Sequence, residues 1–357
     1  MRALVKYDLS DEGMEVRDIP EPSMGDDEVL IETRAVGVCG SDIHLWRNSH
    51  SWDLELPVVV GHEIAGEVIA VGPGAPGGWR VGDRVVCETA AKICGRCRYC
   101  RTGQYNLCPD RLGYGAKHDG FFTARVAVEP RVLHRIPDGV SYEHAALAEP
   151  FAVAYNALVE RATVVPGDLV VIQGAGPIGA LSVQVARLCG AGRIVVLCTD
   201  RDEPRLPSVV RMGADQVVNV QKEDARVIVG SLGDGLGADV VVDATGVSAA
   251  LADSLDLVRA LGTVVKIGWG PQPYGRSLDP LVAKAVTLHG SFSHTWTTWE
   301  RVLDGFATGR LDASAALGGV YPLDDWAQAF EDMESGRNVK SVLTFSVARP
   351  AEEGEGV

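Results

Sequence analysis

Apolar and polar side chains alternate through the first third of the chain. Residues 3–7 and 29–36 read as strands, the second with an apolar side chain at every other position, and the turn Pro20-Glu-Pro-Ser-Met-Gly separates them. Residues 56–60 and 64–71 are further strands, 72–78 is a glycine–proline loop, and 81–87 gives a turn followed by a strand. The region to about residue 150 therefore predicts a β-rich unit of irregular strands, a partly closed barrel. Near Pro166 the pattern changes. Residues 168–173 form a short continuous apolar run, as expected of a strand buried on both faces. Ile178, Leu181, Val185 and Leu188 then mark one face of a helix. Residues 193–198, 215–218, 239–243 and 263–267 are further short strands with helical stretches between them, such as 249–261. This alternation predicts a parallel sheet wound on both sides. Beyond residue 285 come a strand (286–290), helices (297–308 and around 324–335) and a last strand (340–346), while 349–357 reads as a disordered acidic tail.

A chain of 357 residues is long enough for about two domains, and 46% apolar content supplies their cores. The formal charge of −15 argues against a sequence-independent grip on nucleic acid or anionic lipid and suits an enzyme of small, uncharged metabolites. The N-terminus lacks a signal-like apolar core, and no run reaches the ~18 apolar residues of a membrane helix. A cytoplasmic location with reduced thiols is expected. The eight cysteines then call for metal or burial.

Four of them follow the pattern Cys94-x2-Cys97-x2-Cys100-x7-Cys108, which can close a tetrahedral zinc site with no vacancy. An iron–sulfur cluster is the competing reading, since Pro109 follows the last cysteine; the x7 gap and the lack of a second cysteine set favour structural zinc. Cys87, Cys189 and Cys198 sit in apolar contexts and read as small buried hydrophobes.

Gly174, Gly176 and Gly179 follow a predicted strand and open a helix, the setting in which a Gly-x-Gly-x-x-Gly turn meets a pyrophosphate. Asp200 ends the next strand, where a carboxylate can bind ribose hydroxyls and repel a 2′-phosphate. NAD is therefore favoured over NADP, although Arg201 and Arg205 could each meet a phosphate.

Cys39-Gly-Ser-Asp-Ile-His44 and Gly61-His-Glu63 supply a thiol, an imidazole and a carboxylate, the side chains that bind zinc. Ser41 and His44 beside them are suited to moving a proton. Glu149 lies in an apolar stretch between the two units, where a nearby cation would explain a buried carboxylate.

In order and in kind, these motifs resemble the zinc-dependent medium-chain alcohol/polyol dehydrogenases, in the branch of sorbitol and threonine dehydrogenases. The resemblance implies an α/β architecture: a GroES-like catalytic domain (1–150), a Rossmann NAD-binding domain (151–285), and a segment (286–348) returning to the first. Residue by residue it implies Cys39, His62 and Glu63 as catalytic zinc ligands, with Glu149 either a ligand or the holder of the metal's water. Asp42 would orient the histidine ligand. Ser41 would bind the substrate oxygen, and His44 would pass the proton on to solvent by way of the cofactor ribose. Ile178, Asp200, Arg205 and Ile267 would touch NAD. A tetramer or dimer is implied as well.

Departures from the family pattern bear on substrate. Sorbitol dehydrogenases carry tyrosine after the relay histidine and a Phe-Arg-Tyr stretch; here stand Leu45 and Phe292-Ser293-His294. Trp46, His294, Trp296 and Trp299 could instead form a wall for a sugar ring or cyclitol, or simply pack between domains. Threonine dehydrogenases have aspartate where Glu149 stands, which leaves L-threonine as the secondary candidate. A zinc-free quinone or enoyl reductase and a non-enzymatic NAD-binding protein are the competing classes; the zinc motif argues against the first, and Ser41 with His44 against the second.

Overall fold

The computed structural model describes residues 1–10 and 13–345, so the acidic tail lies outside the described residues. The alternating strand Val29–Gly37 is the hub of the first unit. It pairs antiparallel with Glu63–Val71, Arg125–Val128 and Lys340–Thr344. Val29, Ile31, Thr33 and Ala35 are buried, as the period-two pattern requires. The register against Glu63–Val71 shifts at two points, and such bulges bend a sheet toward a barrel. Lys340–Thr344 has Leu317–Pro322 parallel beside it, so the end of the described chain lies in the sheet of its beginning.

In the second unit the sheet runs Gln216–Asn219, Arg193–Cys198, Leu169–Gln173, Ala238–Asp243, Val258–Lys266, Thr287–Gly290, all parallel. In order along the chain this is 3-2-1-4-5-6, the doubly wound arrangement whose ligand crevice opens where the winding reverses, beside Leu169–Gln173. The chain is thus α/β, a GroES-like domain joined to a Rossmann domain.

Two expectations are corrected here. The strand at 287–290, placed by sequence in the returning segment after residue 285, is the sixth strand of the parallel sheet. The short helix Asp279–Ala283 turns the chain back to the sheet edge before it, and Val286 is buried there. The helix expected over 249–261 is Ser248–Leu257, and the strand already begins at the β-branched Val258.

The largest core spans both units, taking in Ala35, Ala65 and Val86 on one side and Val170, Ile172 and Val242 on the other. The helix Ala148–Tyr155 is buried along most of its length within this core. Glu149, in its first turn, is thereby fixed at the junction.

The glycine turn is shaped by close approach. Gly174 has φ of +94°, and a Cβ on Gly179 would stand 1.9 Å from the Gly174 carbonyl oxygen. Gly179→Ala must therefore push the helix Pro177–Leu188 off the strand before it. We expect a loss of about 1–3 kcal/mol from this overpacking, read as a lower melting temperature, together with weakened NADH binding in a fluorescence titration.

Candidate active site

Cys39 ends the extended stretch after Val29–Gly37 and caps the helix Gly40–Trp46, and its N–H donates to Asp42 Oδ2 at 2.9 Å. That short helix presents Ser41, Asp42 and His44 in a single turn and a half. His62 and Glu63 arrive at the start of the neighbouring strand, with Glu63 opposite Gly37 in the register. Only a glycine fits there, because a Cβ at position 37 would lie 2.0 Å from Glu63 Oε2. Potential ligand atoms of Cys39, His62 and Glu63 consequently fall within 4.8 Å of one another.

The donor set suits zinc. Asp42 approaches His62 Nδ1 at 3.7 Å. Its Oδ1 and the Ser41 hydroxyl are buried without a partner among the described residues. Burial disfavours a charged His62, yet Asp42, then Cys39 and Glu149, raise its pKa well above the ordinary value. Such a surplus of buried anions favours any cation placed among them, and a divalent metal would take the place of the proton.

Glu63 is held by a residue that sequence reasoning missed. Lys340 Nζ, fully buried at the start of the last strand, donates to both Glu63 oxygens (2.7 and 2.6 Å) and to the Val38 carbonyl (2.5 Å). Burial opposes its charge, but Glu63 prevails and its pKa is raised. A lysine set between the apolar residues Val339 and Val342-Leu343 was the signal available in the sequence. Glu149 is 5% exposed and accepts from His294 Nε2 at 3.1 Å. Burial works against its charge, while His294, then His62 and Lys340, bring its pKa below the usual carboxylate value. Two further groups went unnoticed in the sequence. Arg111 donates to Thr89 Oγ1 at 2.9 Å, and His134 lies between Glu88 (3.1 Å) and Glu300 (2.6 Å). His44 contacts Ser49 Oγ through Nδ1 at 2.9 Å, and burial, with His50 nearby, lowers its pKa.

In the cysteine lobe the Cys94, Cys97, Cys100 and Cys108 sulfurs also lie within 4.8 Å of one another. Their closest separations, 3.5 to 3.9 Å, bracket the ~3.8 Å edge of a tetrahedron with Zn–S bonds of about 2.3 Å. Amide N–H groups from Arg96 and Cys97 pull the Cys94 thiol down to about 7.

At the cofactor turn, Gly174, Gly176 and Gly179 stand where the sheet reverses, and Ile178 opens the helix that follows. Asp200 Oδ1, just past the adjacent strand, accepts from Asn219 (2.6 Å) and Lys222 (2.5 Å), which hold its pKa down. Arg205 is buried against the Met333 carbonyl (3.1 Å), and its Nη1 lies 3.7 Å from where a Cβ on Gly176 would be. Ile267 is buried just past the strand Val258–Lys266.

Of the two readings of the tryptophans, a sugar-binding wall or simple packing, Trp46 and Trp299 follow the second. Trp46 packs on Trp326 and Phe330, Trp299 is 1% exposed, and His294 is committed to Glu149. Trp296, half exposed, faces His134. The aromatic rings that do meet across the two domains are Trp52 of the first and Trp269 of the second, edge to face at 6.3 Å. Phe292 flanks Trp269 at 5.8 Å, and His44 flanks Trp52 at 6.4 Å.

Residues 25–138 match the alcohol dehydrogenase GroES-like domain, and residues 177–308 match the zinc-binding dehydrogenase domain. A sorbitol dehydrogenase of Halalkalibacterium halodurans is 36% identical over 96% of this chain and 99% of its own. The chain belongs to the zinc-binding medium-chain dehydrogenases. Within that family it is also similar to D-arabitol-phosphate dehydrogenase of Enterococcus avium (35%, covering 91% and 92% of the two chains). L-Threonine 3-dehydrogenase of Escherichia fergusonii follows at 32%, covering 97% and 100%. Two solved structures share the fold closely. A zinc-binding dehydrogenase of Sinorhizobium meliloti 1021 bound to NADP superposes with a TM-score of 0.86 at 28% identity, covering 96% and 99%. The alcohol dehydrogenase rspB of Escherichia coli CFT073, complexed with NADH, gives 0.85 at 26%, covering 97% and 99%. As a zinc-dependent, NAD(P)-dependent oxidoreductase of the alcohol dehydrogenase type, this medium-chain dehydrogenase has its two zinc sites in the cysteine lobe and at Cys39, His62 and Glu63. Among the described residues no helix is long and apolar enough to cross a membrane.

Replacing Lys340 by Met leaves Glu63 buried without its cation, a change that costs about 3–5 kcal/mol when nothing else compensates. The metal-stripped Lys340→Met variant should accordingly melt well below the stripped wild type. Added zinc should recover part of the difference, and equal melting temperatures for the two stripped proteins would refute the pairing.

Proposed function

We propose that this dehydrogenase oxidises a secondary hydroxyl of a polyol, sugar or cyclitol to the ketone with NAD, or runs the reverse reduction. The observation that carries the reading is the thiol–imidazole–carboxylate cluster beside a buried serine hydroxyl that has no partner among the described residues. Bound zinc would supply a Lewis acid that lowers the pKa of a hydroxyl it polarises, and the nicotinamide would supply the hydride acceptor. The chain's own residues do the rest. Ser41 Oγ binds the substrate hydroxyl and accepts its proton as its own passes outward. His44 receives that proton: its depressed pKa keeps the ring neutral, and the Ser49 contact at Nδ1 leaves Nε2 to take it. Glu63 and Glu149 supply negative charge that would favour a cation bound there. The cleft between the domains excludes water, which strengthens each of these interactions.

Trp52, Trp269 and Phe292 favour a substrate with a ring or an extended carbon face, on which aromatic side chains pack. The polyol names of the sorbitol and arabitol-phosphate relatives support the same class. L-Threonine is the second reading, supported by the threonine 3-dehydrogenase relative; Glu149, where such enzymes typically have aspartate, weighs against it. NADH formation measured across sugars, cyclitols, short diols and threonine should single out a polyol, sugar or cyclitol. Cys39→Ala should abolish that turnover and one of about two bound zincs while NADH binding persists. Full activity in Cys39→Ala would overturn the assignment.

For the cofactor, Asp200 at the adenosine end supports NAD, because a carboxylate repels a 2′-phosphate. Lys222 and Asn219 steady this carboxylate. Asp200→Gly removes the repulsion and leaves Lys222 available to an anion. The ratio of kcat/KM for NAD to that for NADP should fall at least tenfold, equivalent to about 1.4 kcal/mol. An unchanged ratio would remove Asp200 from cofactor selection.

A further inference from the structure

Glu149 is brought to the domain junction by its buried helix, and a second set of contacts fixes the carboxylate itself. Its Oε1 accepts from His294 Nε2 at 3.1 Å, and His294 is itself 1% exposed. The other ring nitrogen, Nδ1, accepts from the indole Nε1–H of Trp299 at 2.7 Å. An indole nitrogen is a donor only. His294 Nδ1 must therefore be unprotonated, the ring's proton sits on Nε2, and that proton points at Glu149. The order of donors, Trp299 to His294 to Glu149, has one direction and no degenerate alternative.

The clamp is rigidly seated. Trp299 is almost fully buried in the helix Trp296–Ala307, and its ring lies flat on His134, with centroids 5.3 Å apart and planes at 6°. His134 is pinned between Glu88 and Glu300, and Glu88 also accepts the Tyr105 hydroxyl from the cysteine lobe. Thr89 Oγ1 stands 3.4 Å from His294 Nε2, too long to compete with the bond to Glu149. One Glu149 oxygen is thus occupied by a fixed donor, and the carboxylate lies close enough to His62 and Glu63 to raise the pKa of both.

We infer that Trp299 and His294 are positioning residues that lock Glu149 as a one-oxygen acceptor facing the catalytic metal site. The inference rests on the reading that Cys39, His62 and Glu63 bind the catalytic zinc. Outer hydrogen bonds of this kind affect metal affinity by about 10–100-fold.

The test compares His294→Leu, His294→Gln and Trp299→Phe by competition with a chelator and by the visible spectrum of the cobalt-substituted protein. The cysteine-lobe metal is the internal control. His294→Leu should release the catalytic metal about 10–100-fold more readily and alter the cobalt spectrum, with the lobe metal unmoved. His294→Gln keeps an N–H at the Glu149 end and should restore most of the affinity, which a purely packing role would not predict. Trp299→Phe frees the tautomer and should fall between the two. Wild-type affinity and spectrum in His294→Leu would overturn the inference, as would failure of the glutamine to rescue. Cys39→Ala separates the layers. If it keeps the second metal, the site reading itself fails; if it loses that metal while His294→Leu behaves as wild type, only the clamp fails.

Discussion

Buried negative charge is the constraint around which the molecule is built. Cys39, Asp42, Glu63 and Glu149 come from three separate stretches of chain and converge around His62, the three carboxylates buried and Cys39 half-buried. Uncompensated, such a group could not stay ionised. The fold answers with the Lys340 ammonium behind Glu63 and with a thiol–imidazole–carboxylate set that a zinc ion would complete. Lys340 explains a topological feature that would otherwise look arbitrary. The last described strand inserts beside Val29–Gly37, and its first residue is the one that reaches Glu63 and the Val38 carbonyl. Zinc chemistry near residue 63 therefore depends on a residue 277 positions later.

The two buried carboxylates Glu63 and Glu149 are handled differently. Glu63 gives both oxygens to an ammonium, a compact charge that neutralises without fixing direction. Glu149 gives one oxygen to an imidazole N–H whose tautomer an indole has already decided. Charge balance is therefore assigned to one residue and orientation to the other. Trp299 of the helix Trp296–Ala307 belongs to the core that spans both units, and His294 stands just before that helix, so domain packing and the orientation of Glu149 share side chains.

Much of this was legible in the amino-acid order, for identifiable reasons. The parallel strands showed because burial on both faces leaves continuous apolar runs such as 193–198, which forms the strand Arg193–Cys198. Both metal sites showed because thiol and imidazole ligands are rare residue types at telling spacings. What stayed hidden depends on contacts between residues far apart in the chain. Lys340 looked like an ordinary strand-end lysine, and the three tryptophans proposed as a wall have the composition of a sugar site. Indole is equally suited to filling a core, and Trp46 and Trp299 do that. The rings that meet across the cleft, Trp52 and Trp269, lie in loops with no periodicity to mark them. The helix Ala148–Tyr155 escaped as well, because a helix apolar nearly all round carries no amphipathic signal.

The contrast between the two metal sites follows from the same electrostatics. In the lobe, four like donors lie close to tetrahedral spacing, and backbone amides of Cys94, Cys97 and Cys100 donate to the sulfurs. A bound metal would meet the thiolate charge together with these fixed dipoles, and among the described residues no buried hydroxyl of the lobe lacks a partner. Such a site is closed and holds a loop in shape. At Cys39 the donors are mixed, the counter-charges are side chains, and Ser41 remains buried without a partner among the described residues. An unmet hydroxyl costs stability, about 1–3 kcal/mol by the usual measure. A fold that tolerates this beside a cation site has left a hydrogen bond for something that comes and goes, as a substrate hydroxyl would.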